Sequence, residues 1–320
     1  MKTTFTLTSI FSLSLIFVLS SCERTTVEQA NEYQTQPYKV LDAEASIMAH
    51  TDAQFFDIYK GISVGSIGRI VKTIDGGVTW QNKTTSVIEN LNSVYFVNES
   101  IGYVAGNAGV ILKTTDSGET WTKMPTGSTV NLLGVHFTDA MTGYAVGATS
   151  TVLKTIDGGE TWIVSKPLVV SRNLNAVYAQ GSNVYVCANN GYFLTSVDSA
   201  ATFDTTAVTG VTANLLNIKS IDVNTAYLCG ANGYVIYADF LNKTFSLKKA
   251  PTEENMRGLF FFDKNTGYVV GNFGLVYKTE NGGDSWARIK SGVSANLYAV
   301  EYPDTKIGYL VGTGMVLKTK

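Results

Sequence analysis

Aspartate recurs in one short motif of this sequence, and a carboxylate at a fixed position is a common provider of acid–base or nucleophilic chemistry. The motif occupies residues 72–80, 113–121, 154–162 and 278–286, as KTIDGGVTW, KTTDSGETW, KTIDGGETW and KTENGGDSW. Catalysis would not need the same carboxylate several times, whereas Asp, Gly, a hydroxyl and Trp in this order can build a tight turn with an aromatic cover. We therefore assign a structural role to Asp75, Trp80, Asp116, Trp121, Asp157, Trp162, Asn281 and Trp286.

Other side chains that support catalysis or metal binding are scarce. The sequence has two histidines, His50 and His136, no Cys-x-x-Cys pair and no phosphate-binding loop. His136 occupies a strand position that other repeats fill with Tyr95, Lys219 or Glu301, so we expect a bystander and not a base. We expect no catalytic residue, no metal site and no cofactor.

The spacing of the motif indicates a repeat. Trp80, Trp121 and Trp162 are 41 residues apart, and the weaker copies end at Phe203 and Phe245. A second marker, a tyrosine that usually follows glycine, recurs at the same interval. It stands at 103, 144, 185, 227, 268 and 309, and Ile62 fills the position in the first copy. A fixed period of this length is typical of stacked or circular arrays, and here it gives seven units.

One unit, residues 91–121, predicts the secondary structure. LNSVYFV, YVAG and VILKT are short runs rich in β-branched and aromatic residues, and turn sequences separate them. The strands are apolar on both faces, as required for sheets packed between neighbouring sheets. We predict an all-β fold over residues 37–320, a seven-bladed β-propeller of four-stranded antiparallel blades.

The ends of the array predict how the ring closes. The seventh unit stops at Lys320 after its third strand, and counting 41 residues back from Trp80 leads to Lys39. We expect the segment around Lys39 to supply the missing outer strand, so that an N-terminal strand closes the last blade.

The N-terminal residues have the pattern of an export signal. Lys2 gives a positive start, residues 10–19 are largely apolar and too short to span a bilayer, and Leu-Ser-Ser precedes Cys22. This resembles the lipobox of bacterial lipoproteins. We expect a lipoprotein signal peptide at 1–21, and a lipidated Cys22 with a flexible tether at 22–36. The protein would then be lipid-anchored in the bacterial cell envelope, on the periplasmic side or at the cell surface.

The net charge argues against one class of partner, and the cysteine positions argue against a disulfide. A formal net charge of −2 argues against nucleic-acid binding. Cys187 and Cys229 both stand two residues after a repeat tyrosine, where other units carry Val or Ala. Equivalent positions in adjacent blades should be too far apart for a disulfide, so we expect two buried thiols.

The charges are divided between the two rims that a propeller has. The second hairpins and the links between blades share one rim, on which eight basic residues stand against four acidic ones. The first and third hairpins share the other rim, which collects Asp116, Glu119, Asp263 and other acids. A basic rim would steer an acidic partner, although scattered lysines also simply solvate loops.

Six units carry Asn immediately before the inner strand. Such an amide is commonly a turn former, and a ligand contact at the channel mouth is the alternative. Arg172 and Arg257 interrupt the repeat near this mouth. The candidate partner-binding rim therefore consists of Asn90, Asn131, Arg172, Asn173, Asn214, Lys248, Lys249, Asn255, Arg257 and Asn296.

The repeat GYxVGxxGxVxKTxDGGxTW resembles that of the photosystem II stability/assembly factor-like propellers, a branch of the Asp-box (BNR) group. The resemblance covers about residues 38–320. It implies chaperones of the lumen or periplasm that hold assembly intermediates of membrane proteins, in part through a basic patch. Sialidases and xyloglucanase-type glycosidases are also similar in their repeats. Sialidases need three arginines, a Tyr–Glu pair and an Asp, and xyloglucanases use two propellers in tandem.

These observations together predict a non-catalytic binding protein and not an enzyme. We expect a monomeric, lipid-anchored propeller that scaffolds or helps to assemble an envelope protein complex. The alternative is a glycan-binding or glycoside-hydrolase-like propeller, for which Glu253 and Glu254 are the only pair of carboxylates on the link-bearing rim.

Overall fold

A computed structural model describes residues 38–41, 49–164 and 171–320, and in these residues seven four-stranded antiparallel sheets follow one another. Each sheet is one blade of a β-propeller. The predicted fold class is confirmed, including the closure of the last blade by an N-terminal strand. The predicted signal peptide, Cys22 and the tether lie outside the described residues.

The described part of the chain begins with β1 (Tyr38–Leu41), which belongs to the seventh blade. The strands of blades 1 to 3 follow in chain order from the channel outward. Blade 1 contains β2 (His50–Phe55), β3 (Gly61–Gly65), β4 (Ile70–Thr73) and β5 (Gln81–Lys83). Blade 2 contains β6 (Leu91–Phe96), β7 (Gly102–Gly106), β8 (Ile111–Thr114) and β9 (Thr122–Met124). Blade 3 contains β10 (Leu132–Phe137), β11 (Gly143–Gly147), β12 (Val152–Thr155) and β13 (Ile163–Val164).

Blades 4 to 7 repeat this order. Blade 4 contains β14 (Leu174–Gln180), β15 (Asn183–Ala188), β16 (Tyr192–Ser196) and β17 (Asp204–Ala207). Blade 5 contains β18 (Leu215–Ser220), β19 (Thr225–Gly230), β20 (Val235–Asp239) and β21 (Thr244–Leu247). Blade 6 contains β22 (Met256–Phe261), β23 (Gly267–Gly271), β24 (Leu275–Thr279) and β25 (Ala287–Lys290). Blade 7 contains β26 (Leu297–Glu301), β27 (Tyr309–Gly312) and β28 (Met315–Thr319).

Strand β1 completes blade 7 from the other end of the chain. It pairs antiparallel with β28, with Tyr38 opposite Thr319 and Leu41 opposite Val316. The side chains of Tyr38 and Leu41 are buried. The ring is therefore closed inside one sheet, which leaves no unpaired strand at the seam.

Two rims follow from the hairpin contacts. The Asp-box rim is formed by the first and third hairpins. In blade 2 the N–H of Ser117, in the third hairpin, donates to the carbonyl of Ser100, in the first, over 3.0 Å. The link rim is formed by the second hairpins and the links between blades. There the Gly109 N–H donates to the Val130 carbonyl over 2.7 Å.

The glycine before the repeat tyrosine makes room for an aromatic ring. Gly143 stands opposite Phe137, and a Cβ on this glycine would lie 2.5 Å from the ring. In blades 4 and 5 a small residue replaces the phenylalanine and a residue larger than glycine stands opposite it, in the pairs Ala179–Val184 and Ser220–Ala226. The two positions therefore vary together to fill one volume, which is how a close-packed core accommodates substitution.

The repeat tyrosine connects neighbouring blades. Tyr103 of blade 2 stacks on Phe137 of blade 3 with ring centroids 3.7 Å apart, and its hydroxyl donates to the Gly158 carbonyl over 2.8 Å. Gly158 belongs to the Asp-box turn of blade 3. Tyr227 makes the same bond to Gly282 over 2.9 Å. The two sequence markers of the repeat thus contact each other across a blade boundary.

Both predicted thiols are in place. Cys187 and Cys229 are buried and free, as expected, and burial raises the pKa of each well above its ordinary value. Over the ranges that the structure describes, no helix has the length and apolar character to cross a bilayer.

Candidate functional site

The Asp-box carboxylates are held inside their own turns. Asp116 accepts hydrogen bonds from the hydroxyl and the N–H of Thr120, at 2.6 and 2.9 Å, and from the hydroxyl of Thr114 at 2.8 Å. The Thr114 hydroxyl oxygen in turn accepts the N–H of Gly118. These bonds, those of Thr120 first, lower the pKa of Asp116 to about 2. The carboxylate is thereby committed to the turn.

The same turn recurs around the ring. Asp75, Asp157 and Asp198 accept from Thr79, Thr161 and Thr202, and Asn281 accepts from the Ser285 N–H. Trp80, Trp121 and Trp162 are buried beneath these turns, and the half-buried Trp286 donates to the Lys248 carbonyl over 2.8 Å. These contacts account for the repeated sequence without a reaction.

The asparagines that precede the inner strands also have structural partners. The Asn90 side chain accepts the N–H of Ile67 in blade 1, and its carbonyl accepts the N–H of Asn107 in blade 2. The side chains of Asn131, Asn214 and Asn296 accept in the same way. The carbonyls of Asn173 and Asn255 make the equivalent backbone bond. These amides join adjacent blades at the link rim.

Ion pairs reduce the free charge of the predicted basic rim. Lys248 pairs with Asp284 at 2.5 Å, and Lys249 pairs with Glu253 at 2.6 Å. Arg172 lies with its guanidinium carbon 3.5 Å from the centre of the Tyr192 ring. Neither lysine is therefore a free cation, and the basic character of this rim is weaker than the residue count indicates.

Arg257 differs from these because it faces the central channel. Its Nε donates to the Asn272 side chain over 2.7 Å, and its guanidinium lies 5.2 Å from the centre of the Tyr298 ring. Asn272 is itself within 3.4 Å of Glu254. The terminal nitrogens of Arg257 have no hydrogen-bond partner among the described residues. This is a guanidinium held in position with its bidentate edge available.

The channel encloses a cavity of about 560 Å³ lined by the inner strands. We call the level of Gly134 and Gly258 in the channel the waist; there a Cβ on Gly258 would lie 2.7 Å from the Tyr298 carbonyl of the adjacent inner strand. Most blades have a small residue at this level because adjacent strands approach closely there. Asp52 and Asn217 are the larger residues at the waist, and both make hydrogen bonds to neighbouring backbone.

We call the part of the cavity between the waist and the Asp-box rim the chamber. Six blades contribute one side chain each to its wall, and these are Gln54, Tyr95, His136, Tyr178, Lys219 and Glu301. The Lys219 ammonium lies 2.9 Å from Glu301 and 5.7 Å from the centre of the Phe260 ring. The sequence indicates that His136, Lys219 and Glu301 occupy a variable strand position. It contains no pattern that brings Lys219 and Glu301, which are 82 residues apart, together.

Burial and charge shift the titration of the groups around this chamber. Burial raises the pKa of Asp52 to about 7, against the hydrogen bond from the Val94 N–H, and the nearby Glu301 raises it further. Burial also lowers the pKa of His136 to about 3, so this imidazole is neutral at physiological pH. Although burial lowers the pKa of Lys219, Glu301 outweighs it and the net shift is upward.

Two inter-blade contacts were not anticipated from the sequence. Asn92 donates to Asn107 and to the Leu132 carbonyl, and Asn175 donates to Asn189 and to the Leu215 carbonyl. The signal available was the shared Leu-Asn at the start of β6 and β14.

In the part of the chain that the structure describes, no group of three or more His, Cys, Asp or Glu side chains could hold a metal ion. Glu253 and Glu254 contact different partners, Lys249 and Asn272.

Comparison with known proteins agrees with this architecture. Residues 30–131 match the family model described as photosynthesis system II assembly factor YCF48. No curated protein matches the chain in sequence. A solved structure of YCF48 bound to D1 peptide superposes with a TM-score of 0.74 and 18% identity, over 89% of this chain and 97% of that one.

Two further structures show the breadth of the fold. YCF48 from Cyanidioschyzon merolae gives a TM-score of 0.72 at 20% identity, over 88% of this chain and 98% of that one. The GH74 enzyme of Niastella koreensis gives 0.71 at 14% identity, over 85% of this chain and 52% of the enzyme. At these identities the superpositions establish the fold alone. The resemblance to the photosystem II assembly factor family is confirmed by the family match over residues 30–131.

Proposed function

We propose that this protein is a non-catalytic propeller that binds a carboxylate-bearing segment of a partner protein at the link-rim mouth of its channel. In doing so it assists the assembly of a protein complex. Arg257 carries the proposal, because Asn272 fixes its guanidinium at the channel wall with the bidentate edge unpaired. A carboxylate of Asp, Glu or a chain terminus matches that edge.

Two observations support a protein partner. The segment 30–131 matches the YCF48 assembly factor model, and one YCF48 structure of the same fold was solved with a D1 peptide bound. The Asp-box carboxylates, by contrast, are engaged in their turns, which leaves them unsuited to catalysis. We therefore propose a binding protein and not an enzyme.

The location is also a proposal. The lipobox-like sequence before Cys22 supports lipid attachment, and with it a position in the bacterial cell envelope. The test is fractionation of cells that express the wild type or Cys22→Ser. Wild type in the membrane fraction and the variant in the soluble fraction is the expected result. The same distribution for both would overturn the anchor.

The binding site is tested by crosslinking and capture from native membranes with wild type, Arg257→Gln and Arg288→Gln. Arg288 is the matched control, since it is exposed on the outer strand β25, away from the channel. We expect specific envelope proteins with wild type and Arg288→Gln, and at least a tenfold loss with Arg257→Gln. Equal capture by all three variants would exclude the channel mouth. Competition by soluble glycans instead of acidic peptides would favour the glycan-binding alternative.

A further inference from the structure

The chamber on the Asp-box side of the waist has a composition unlike the rest of the channel. Glu301 in the chamber and Asp52 at the adjoining waist face a single ammonium, that of Lys219. His136 adds no positive charge, because its Nδ1 accepts the Ala179 N–H and the ring stays neutral. The chamber therefore has one more carboxyl group than cation.

The walls of the chamber suit a cation as well. Tyr95 and Tyr178 line the chamber and the Phe260 ring lies near the Lys219 ammonium, and aromatic rings attract ammonium groups through their faces. The Lys219 ammonium is already held in such an environment, since it contacts Glu301 at 2.9 Å and lies 5.7 Å from the Phe260 ring centre. The chain thus places one ammonium of its own in a site with acceptors for a second.

The route into the chamber has the matching charge. The chamber is on the Asp-box side of the ring, where the first hairpins join the inner strands to the second strands. These hairpins carry six acidic residues against three lysines: Asp57, Glu99, Asp139, Asp222, Asp263 and Asp304 against Lys60, Lys264 and Lys306. Acids around an opening concentrate cations in front of it. This is the opposite end of the channel from Arg257.

We infer that the chamber binds a primary ammonium group, the end of a lysine side chain or of a free polyamine, between Glu301 and Asp52. With the ligand in place, two carboxylates face two ammonium groups. Lys219 is 40% exposed within the channel, and its flexible stem allows its ammonium to shift as the ligand enters. This site is separate from the proposed function at the link rim.

A proton is released when the ligand binds. Asp52 is half protonated near pH 7, and a cation beside it favours the carboxylate, so its proton goes to solvent. The groups that face Asp52 are Lys219, Glu301 and the N–H groups of Ala53 and Val94. Because the pKa of Asp52 lies near 7, proton release near this pH is assigned to Asp52. Affinity should therefore rise from pH 6 to pH 8.

The test is isothermal titration calorimetry of the full-length protein with cadaverine and with Nα-acetyl-lysine methylamide, whose side-chain ammonium is free. These probes represent the free amine and the polypeptide side chain. We expect saturable binding, with release of about half a proton per ligand near pH 7, measured by comparing phosphate with Tris buffer. The tighter probe identifies the source of the ammonium. The acetylated lysine side chain, which has no charge, should not bind.

Variants locate the site. Glu301→Gln and Asp52→Asn should each weaken binding at least tenfold, and Asp52→Asn should also abolish proton release. Glu280→Gln removes a rim carboxylate outside the channel and should leave affinity within twofold of wild type. Lys219→Met removes the resident cation and should bind more tightly. Thermal melts establish that each variant is folded.

Three results would overturn the inference. They are no saturable binding of either probe at pH 8, equal binding by folded Asp52→Asn and wild type, and equal binding of the acetylated control. Because the partner capture depends on Arg257 at the other mouth, failure here leaves that assay unaffected.

Discussion

Substitution of Gly109 by alanine tests how closely adjacent blades approach at the link rim. Gly109 has φ +73°, and a Cβ built there would lie 1.9 Å from the carbonyl oxygen of Ser128 in the following link. Gly127 lies beside Ser128, has φ +64°, and would place its Cβ with no atom within 4 Å. The two glycines share the same backbone constraint and differ in the clash alone.

The magnitudes follow from that difference. Alanine in the left-handed region costs about 1–2 kcal/mol at either position. The backbone clash at Gly109 adds about 1–3 kcal/mol, because the link must move to relieve it. The effect of alanine on the unfolded chain is common to both variants and cancels in the comparison. We expect about 2–5 kcal/mol of destabilisation for Gly109→Ala and about 1–2 kcal/mol for Gly127→Ala.

Urea unfolding, followed by tryptophan fluorescence, measures both variants against wild type. The slopes of the transitions should agree, and the midpoint of Gly109→Ala should be clearly lower than that of Gly127→Ala. Equal midpoints would show that the link yields freely and that the glycine is required for its φ angle alone.

Three further predictions concern the turns and the channel. Trp121→Ala should lower the free energy of unfolding by about 3–5 kcal/mol, and Trp286→Ala by less because Trp286 is less buried; urea midpoints that reverse this order would contradict it. The pKa values near 2 at Asp116 and Asp157 mean that the folded state binds fewer protons than the unfolded state. Stability that is present above pH 4 should therefore be lost between pH 4 and 2, and less so in the Asp116→Asn, Asp157→Asn double variant; identical acid melts would refute this. Because the pKa of Asp52 is raised to about 7, wild type should lose stability as pH rises from 4 to 7, and Asp52→Asn should not; parallel urea midpoints at pH 5 and 8 would argue against it.

Much of the fold was predictable because it depends on sequence patterns within single segments of the chain. The period of the tryptophans, the turn residues and the length of the strands are properties of single segments, and together they predicted seven blades. Even the closing strand was placed at Lys39 by counting, and β1 is at Tyr38–Leu41. Blade closure could be predicted because the same repeat unit had to be completed from the other end.

The channel and the charge of the rims were harder to predict. Rim charge was counted residue by residue, whereas Lys83 and Lys248 extend to Glu119 and Asp284 on the next blade. The contact between Lys219 and Glu301 joins blades 5 and 7, and no pattern within one repeat encodes it. Side-chain direction and partner choice depend on the ring as a whole, so they appear only once the blades are in place.

The pairing of β1 with β28 in blade 7 determines when during synthesis the ring can close. Tyr38 is among the first residues of the ring that a ribosome produces, and its partner Thr319 is among the last. The seventh sheet cannot be completed until β28 has been synthesised, and until then β1 has no partner strand. A chain that stops early cannot form this sheet, and its open edge would be available to proteases and chaperones. A paired seam in blade 7 therefore reports that synthesis has passed β28.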